Sequence, residues 1–402
     1  MPSAFVPYGA YWSTPFVKWQ GSLSHLHPLR FAAWVAQGEI GRRGWAPEGF
    51  DAGVLGTTVP SGASFYGLPW VASLAGLPHL AGPTVAQACA TAARALQVAH
   101  DEVALGRAQA AIVLTADRIS NGPHLYYPDP GGPGGTGEHE DWVLDNFSRD
   151  PATAKGMLAT AENVAREYGL SRERQHELVL MRHAQYATAL ADDRAFQRRF
   201  MRLPFDVPDR TLRRTAARID GDEGIPTASA ERLAAMGPVQ PDGTVSFAAQ
   251  TRPADGNAAI VVASRERARA LSADPRIEVA LLGFGQARAA AAEMPKAPVP
   301  AARRALQAAG LEVAAIDCVT THNPFAVNDL VFARETGVPL ERMNARGCSL
   351  VWGHPQGPTG ARAVIELIET LVERGGGRGL FTGCAAGDTA MACVLEVRDA
   401  GR

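Results

Sequence analysis

Gly353-His354-Pro355-Gln356-Gly357-Pro358-Thr359-Gly360-Ala361-Arg362 sets a histidine between a glycine and a proline, just ahead of an apolar run with helical spacing over 359–374. Glycine brings no side chain and proline fixes its own φ, so the imidazole is held on a stiff backbone with little cover. Such a histidine can reach a thiol. The plain alternative is a turn histidine bonded to its own neighbours. Downstream, Gly375-Gly376-Gly377 reads as a helix stop, followed by strands over 379–384 and 391–397. The first of these ends in Gly383-Cys384-Ala385-Ala386-Gly387-Asp388, a thiol beside small residues with accessible amides. Upstream, an apolar strand over 316–321 runs into Thr321-His322-Asn323-Pro324-Phe325-Ala326. In open α/β sheets, sites assemble at strand ends.

The amino-terminal part has the same alternation. Pro28–Arg43 reads as a helix, 52–55 and 84–88 as short strands, 91–105 as a helix closed by Gly106, and 110–115 as a further strand. Strand and helix in turn imply a mostly parallel sheet. Cys89, in Gln87-Ala88-Cys89-Ala90-Thr91, lies where a strand passes into an alanine-rich helix. A sulfur at a helix N-terminus is favoured as thiolate by the dipole and free amides; a buried structural cysteine is the alternative. Pro128-Asp129-Pro130-Gly131-Gly132-Pro133-Gly134-Gly135 excludes a helix or central strand, so 121–141 is expected to be a loop. Helices follow over 154–168 and 172–190, then an arginine-dense stretch over 194–218, read as a solvated face or a cationic rim for phosphates. Strands resume at 244–247, 258–263 and 277–282, with a helix over 299–309 between the last of these and the strand at 316. The similar order of elements in the two halves hints at duplication.

The 402 residues allow two to four domains or one large layered unit. With 39 basic and 41 acidic residues, a net charge of −2 excludes a nucleic-acid binder by bulk charge. At 46% hydrophobic and 20% charged, the composition fits a folded protein. The five cysteines are scattered, with no CxxC pair, which favours a reducing compartment. Neither a leader-like start nor a membrane-length apolar run is seen, so a cytoplasmic location is expected.

Together, in this order, these segments resemble the thiolase family over nearly the whole chain. Ser13-Thr14-Pro15-Phe16-Val17-Lys18-Trp19-Gln20-Gly21-Ser22-Leu23 is similar to the family's opening segment; Asp117 and Ser120-Asn121-Gly122-Pro123 follow at the place of its ESMSNAP segment. Thr160-Ala161-Glu162-Asn163-Val164-Ala165, the spacing from Gly243-Thr244-Val245 to Asp255-Gly256, and Pro298-Val299-Pro300-Ala301 add to the resemblance, and the block at 353–362 is its most specific part.

The resemblance implies an α/β thiolase fold: two similar βαβαβαββ halves, 1–118 with 243–272 and 273–402, in a five-layered αβαβα sandwich, with a loop domain inserted over 119–242. It implies an acyltransferase making or breaking a C–C bond by Claisen chemistry between 3-ketoacyl-CoA, CoA and acetyl-CoA, within fatty acid or lipid metabolism. Coenzyme A is then a cosubstrate, with no permanently bound cofactor and no metal, and the enzyme a homodimer or homotetramer. Cys89 is the expected nucleophile, His354 takes its proton, His322 points into the same oxyanion site, Cys384 is the second acid/base, and the amides of Cys89 and Ala386 form a second oxyanion hole. Met157, Thr251 and Phe325 are expected beside coenzyme A.

The chain also departs from the family pattern. His322-Asn323-Pro324-Phe325 replaces the usual NEAF and is similar in its first residue to sterol-carrier-protein thiolases. Gly156-Met157 and Ala249-Gln250-Thr251 stand where the family has His-Met and Asn-Ala-Ser. Two other readings remain: a ketosynthase-like condensing enzyme working with one cysteine and two histidines, and a non-catalytic thiolase-like subunit.

Overall fold

The computed structural model describes residues 4–401; the sequence readings at 1–3 and 402 lie outside the described residues. The first half contains β1 (Ala4–Pro7), β2 (Tyr11–Ser13), β3 (Val17–Lys18), α1 (Pro28–Arg43), β4 (Ala52–Gly56), α2 (Leu68–Leu74), β5 (Thr84–Val85), α3 (Thr91–Ala104) and β6 (Ala110–Arg118). An excursion follows with β7 (His124–Pro128), β8 (Gly137–Asp141), α4 (Leu144–Ser148), α5 (Met157–Tyr168), α6 (Arg172–Ala189), α7 (Ala191–Arg198), β9 (Phe205–Pro208), β10 (Thr215–Ile219) and α8 (Ala230–Ala234). The chain then returns through β11 (Ala254–Ala263) and α9 (Arg265–Leu271). The second half is β12 (Ile277–Arg288), α10 (Pro298–Ala309), β13 (Cys318–His322), α11 (Ala326–Thr336), α12 (Ser349–Trp352), α13 (Gly357–Glu373), β14 (Gly376–Ala385) and β15 (Thr389–Asp399).

The hint of duplication becomes a topology. In the first half β4 runs parallel to β6, β6 antiparallel to β11, and β11 antiparallel to β2. In the second, β13 is parallel to β14, β14 antiparallel to β15, and β15 antiparallel to β12. β5 extends the first set beside β4, and a lone parallel bridge, Val319 to Met343, holds the matching place in the second. The two sets meet at β1, which pairs with β12 and touches β11. Between them lie α3 and α13, in contact with each other and with strands of both halves. α1 and α2 cover the outer face of the first set, and α10 with α11 the outer face of the second. The result is five layers, α/β/α/β/α.

Burial explains the sequence pattern. All ten residues of β11 are buried, because helices cover both faces, and such strands read as apolar runs without alternation. α13 is buried from Gly357 to Leu371, yet it carries Arg362, Glu366 and Glu369. Each finds a partner: Arg362 bonds Glu366 and, through both terminal nitrogens, Asp222, and Glu369 accepts from Tyr11. Removing one member of a buried pair of this kind costs about 3–5 kcal/mol, so Asp222 clamps the excursion onto the central helix.

Two local readings are corrected. The proline- and glycine-rich segment is not all loop: β7 and β8 pair into an exposed antiparallel hairpin outside the main sheet. Prolines fall at its end and tip, where no ladder donor is needed. No strand forms at 244–247 either; the amides of Thr244 and Val245 are taken by the Glu162 carboxylate instead of a neighbouring strand. Among the described residues no helix is long and apolar enough to cross a membrane.

Candidate active site

After β5 the chain turns sharply at Ala88, whose φ of 43° is in the left-handed region that costs a non-glycine residue strain. The Thr91 hydroxyl braces the turn, donating to the Ala88 carbonyl (2.7 Å) and accepting from the Gln87 amide (2.8 Å). This presents Cys89 at the start of α3, whose N-cap Ala90 offers no side-chain acceptor. From the other half, Gly353 adopts φ 97°, and a Cβ there would meet that of Ala254 at 3.0 Å. His354 is then fixed by two main-chain bonds, its amide to Arg252 O (2.8 Å) and its carbonyl from Ala254 N (3.3 Å). Asp117, at the end of β6, ties the turn down from beneath by accepting from the amides of Thr58, Val59 and Gly357.

The two halves thus bring Cys89 Sγ to 3.1 Å from His354 Nε2. His354 Nδ1 lies 2.6 Å from the Thr359 hydroxyl. His322, at the end of β13, stacks on His354 with ring centroids 4.0 Å apart. Cys384, at the end of β14, accepts from Asn328 Nδ2 at 3.2 Å. A pocket of about 400 Å³ opens onto Cys89, His354 and Ala386, and its walls include Met157, Thr251, Phe325, Phe147, Leu158, Phe247 and Met294. Its lining is mainly apolar. His322 and Cys384 are fully buried behind this wall. Thr251 turns its hydroxyl away, onto the Ser349 carbonyl at 2.5 Å. The arginine-dense stretch does not rim the pocket: Arg198 pairs with Asp193, and Arg199 with Glu369 and Glu373.

Burial governs the protonation states. It pushes the Cys89 thiol up to about 12, against the pull of the Ala386 and Cys89 amides, with the Asp117 carboxylate adding to the rise. His354 is held well below its ordinary value by burial and then by His322. Burial lowers His322 to about 3. Both shifts favour a neutral thiol facing a neutral imidazole and oppose the thiolate expected from the helix N-terminus. Alkylation of Cys89 by iodoacetamide should accordingly rise about tenfold per pH unit from pH 7 to 10, since the thiolate is the reactive form. A plateau reached below pH 7 would reveal a preformed ion pair.

The tautomer of His322 follows from its surroundings. Asp329, bound by Arg182, accepts from Asn323 Nδ2 (2.9 Å), which turns Asn323 Oδ1 toward Ser349. The Ser349 hydroxyl donates to that oxygen at 3.2 Å and accepts from the Asn323 amide, so toward His322 Nδ1, 3.0 Å away, it can only accept. Nδ1 holds the hydrogen, and Nε2 is a buried lone pair without a partner. Sequence reading missed Asn328, Ser349 and Thr359 as the groups touching Cys384 and the two imidazoles. Only Thr359, inside the 353–362 block, carried any signal.

Comparison with known proteins gives a consistent picture. The family models "Thiolase, N-terminal domain" and "Thiolase, C-terminal domain" match residues 10–266 and 276–397. The acetyl-CoA acetyltransferase of Escherichia coli is 29% identical, covering 95% of this chain and 96% of its own. The 3-ketoacyl-CoA thiolase of Bacillus subtilis is 28% identical over 99% and 100%. In fold, the chain is similar to the crystal structures of Bacillus anthracis acetyl-CoA acetyltransferase (TM-score 0.88, 24% identity, 99% of both chains) and of human mitochondrial 3-ketoacyl-CoA thiolase in complex with CoA (TM-score 0.87, 24% identity, 98% of both).

Proposed function

Because the chain belongs to the thiolase family and is a thiolase-type acyltransferase, we propose that it moves an acyl group between Cys89 and coenzyme A, cleaving or forming 3-ketoacyl-CoA. The observation supporting these roles is the 3.1 Å approach of Cys89 Sγ to His354 Nε2 on the wall of an apolar pocket. As Cys89 attacks the carbonyl of the 3-ketoacyl group, its proton passes to His354 Nε2. The amides of Cys89 and Ala386, already aimed at the sulfur, hold the oxygen that gains charge. The Cα–Cβ bond breaks, the acyl group stays on Cys89, and the enolate of acetyl-CoA takes a proton from Cys384, whose thiol burial keeps protonated. CoA then enters and gives its thiol proton to the Cys384 thiolate; its sulfur takes the acyl group from Cys89, and the departing Cys89 thiolate recovers the proton held on His354 Nε2. His322 is the second imidazole of this corner; with its Nδ1 hydrogen committed to Ser349 and burial keeping the ring neutral, its part in this reading is the stack that positions His354.

Met157, Phe325 and the backbone of Thr251 flank pantetheine in this reading. Incubation with acetoacetyl-CoA or longer 3-ketoacyl-CoA and free CoA should yield acetyl-CoA. Absence of acetyl-CoA across all chain lengths would leave a non-catalytic subunit.

The same reading makes the protein a homodimer. β5 is the end strand of the sheet, residues 81–84 are exposed, and Phe65 and Tyr66 beside it are 93% and 72% accessible. An open strand edge flanked by aromatic surface invites pairing with a second copy. Light scattering at micromolar concentration should return twice the chain mass or a multiple of it; a clean monomer contradicts this.

A further inference from the structure

The pocket that holds Cys89 and His354 is walled mainly by apolar side chains, and among the described residues the only charged side chain on that wall is Arg252. No carboxylate lines it. We propose that Arg252 selects the substrate: the acyl chain this enzyme handles carries a carboxylate beyond its 3-keto group, and the Arg252 guanidinium receives it. The assignment deepens the acyltransferase reading and rests on it, since the chain must begin at Cys89.

Arg252 is a cation without a counter-ion. Its Nη2 donates to the Val351 carbonyl at 2.6 Å, while neither Nη1 nor Nε donates to any described group of the protein. The carboxylate that acts on it from a distance, Asp222, has its oxygens taken by Arg362, Tyr186 and the Phe16 amide. Burial lowers Arg252 from its ordinary value against the pull of Asp222, so a charge held in this way gains from meeting an anion. The backbone fixes where that charge stands. The Arg252 carbonyl accepts from the His354 amide at 2.8 Å, Pro253 follows with its own φ locked, and Thr251 before it is tied to Ser349. Arg252 is thus set on the same frame as the imidazole that faces Cys89.

The size of the pocket decides which anion it meets. Coenzyme A carries phosphates, but they stand at the far end of the pantetheine arm from the sulfur, beyond a cavity of about 400 Å³ that opens onto Cys89. An acyl chain on Cys89 starts inside that cavity. An apolar lining with one placed cation suits a chain that is apolar along its length and charged once. Arginine suits a carboxylate in particular, because its planar fork offers parallel N–H donors.

Binding is read apart from chemistry in Cys89→Ala, which has no sulfur to acylate, by calorimetry with acyl-CoA thioesters matched in chain length, one ending in a methyl group and the other in a carboxylate. Turnover of the corresponding 3-ketoacyl-CoA pairs is measured in the wild type. At the fitting length the carboxylate member should bind about 10 to 100-fold more tightly and show a kcat/KM higher by a similar factor, the usual range for a hydrogen bond to a charged group. Arg252→Gln should abolish the preference, and Arg252→Lys should keep part of it. No preference for the carboxylate at any length, or a preference unchanged by Arg252→Gln, overturns the proposal. An equal loss for both members in Arg252→Gln overturns it too, since a brace on Val351 or a contact to phosphate would give that result; weaker binding of free CoA in the same proportion would identify the phosphate contact. A carboxylate preference in binding without any turnover by the wild type would uphold the role of Arg252 and remove Cys89 from catalysis.

Discussion

Cys384→Ala is expected to leave acyl loading of Cys89 intact and to lower steady-state turnover by about 100 to 10,000-fold in both directions, the usual range for a positioned acid or base. Loading needs only the Cys89 sulfur, the His354 nitrogen 3.1 Å away and amides to hold the oxygen. Turnover also needs a proton delivered to, or taken from, the acetyl-CoA methyl carbon and the CoA thiol. Cys384 suits that task because burial, with Cys89 as the next contribution, holds its thiol well above the ordinary value, so it is a proton donor at neutral pH. Asn328 then stabilises the sulfur when the proton has gone. Alanine is close in size to cysteine, so little packing is lost. Intact-mass analysis and a thiolysis assay on the same preparation separate the two steps. Near-normal thiolysis would make Cys384 a packing residue and favour the ketosynthase-like reading, for which the stacked His322 and His354 beside Cys89 are already in place.

The second large effect is at Cys89 itself. Cys89→Ser should abolish covalent acyl transfer and lower turnover by about 10,000-fold or more, as losing a nucleophile does elsewhere. Burial already pushes the thiol up to about 12, so in the proposed mechanism the sulfur is ionised by transfer of its proton to His354. A hydroxyl is a far weaker acid, and an imidazole held well below its ordinary value cannot draw the proton from it. The fold should survive, because Thr91 and the Ala88 turn, not the sulfur, shape this corner. Circular dichroism and thermal unfolding verify that, while a labelled acyl group still found on the variant would remove Cys89 from its role.

Much of this arrangement was legible in the chain, and the limits have physical causes. Strands buried on both faces, such as β6 and β11, announce themselves as apolar runs, and the helix read over Pro28–Arg43 is α1 with those bounds. Cys89, His322, His354 and Cys384 stood out because each follows a strand or a glycine-rich turn, where sites form. Their meeting came from the family resemblance and not from any local pattern: the 3.1 Å contact joins residues 265 apart through the packing of α3 on α13. Glu162 replacing a strand partner for Thr244, and the hairpin of β7 and β8, depend on contacts outside any local window. The thiolate expected at the start of α3 failed for an energetic reason. A helix N-terminus contributes about 0.3–1 kcal/mol, up to about 2 in favourable geometry, and desolvation of the half-buried Cys89 thiol on the wall of the apolar pocket opposes it.

The central claim, that Cys89 carries the acyl group, is tested most directly by peptide mass spectrometry after brief exposure to a panel of acyl-CoA and 3-ketoacyl-CoA thioesters. The predicted result is a mass increase equal to the acyl group on the peptide containing Cys89, removed on adding CoA and absent from those containing Cys318, Cys348, Cys384 and Cys393. An unmodified Cys89 peptide across the whole panel, or an acyl group found on another cysteine, would contradict it.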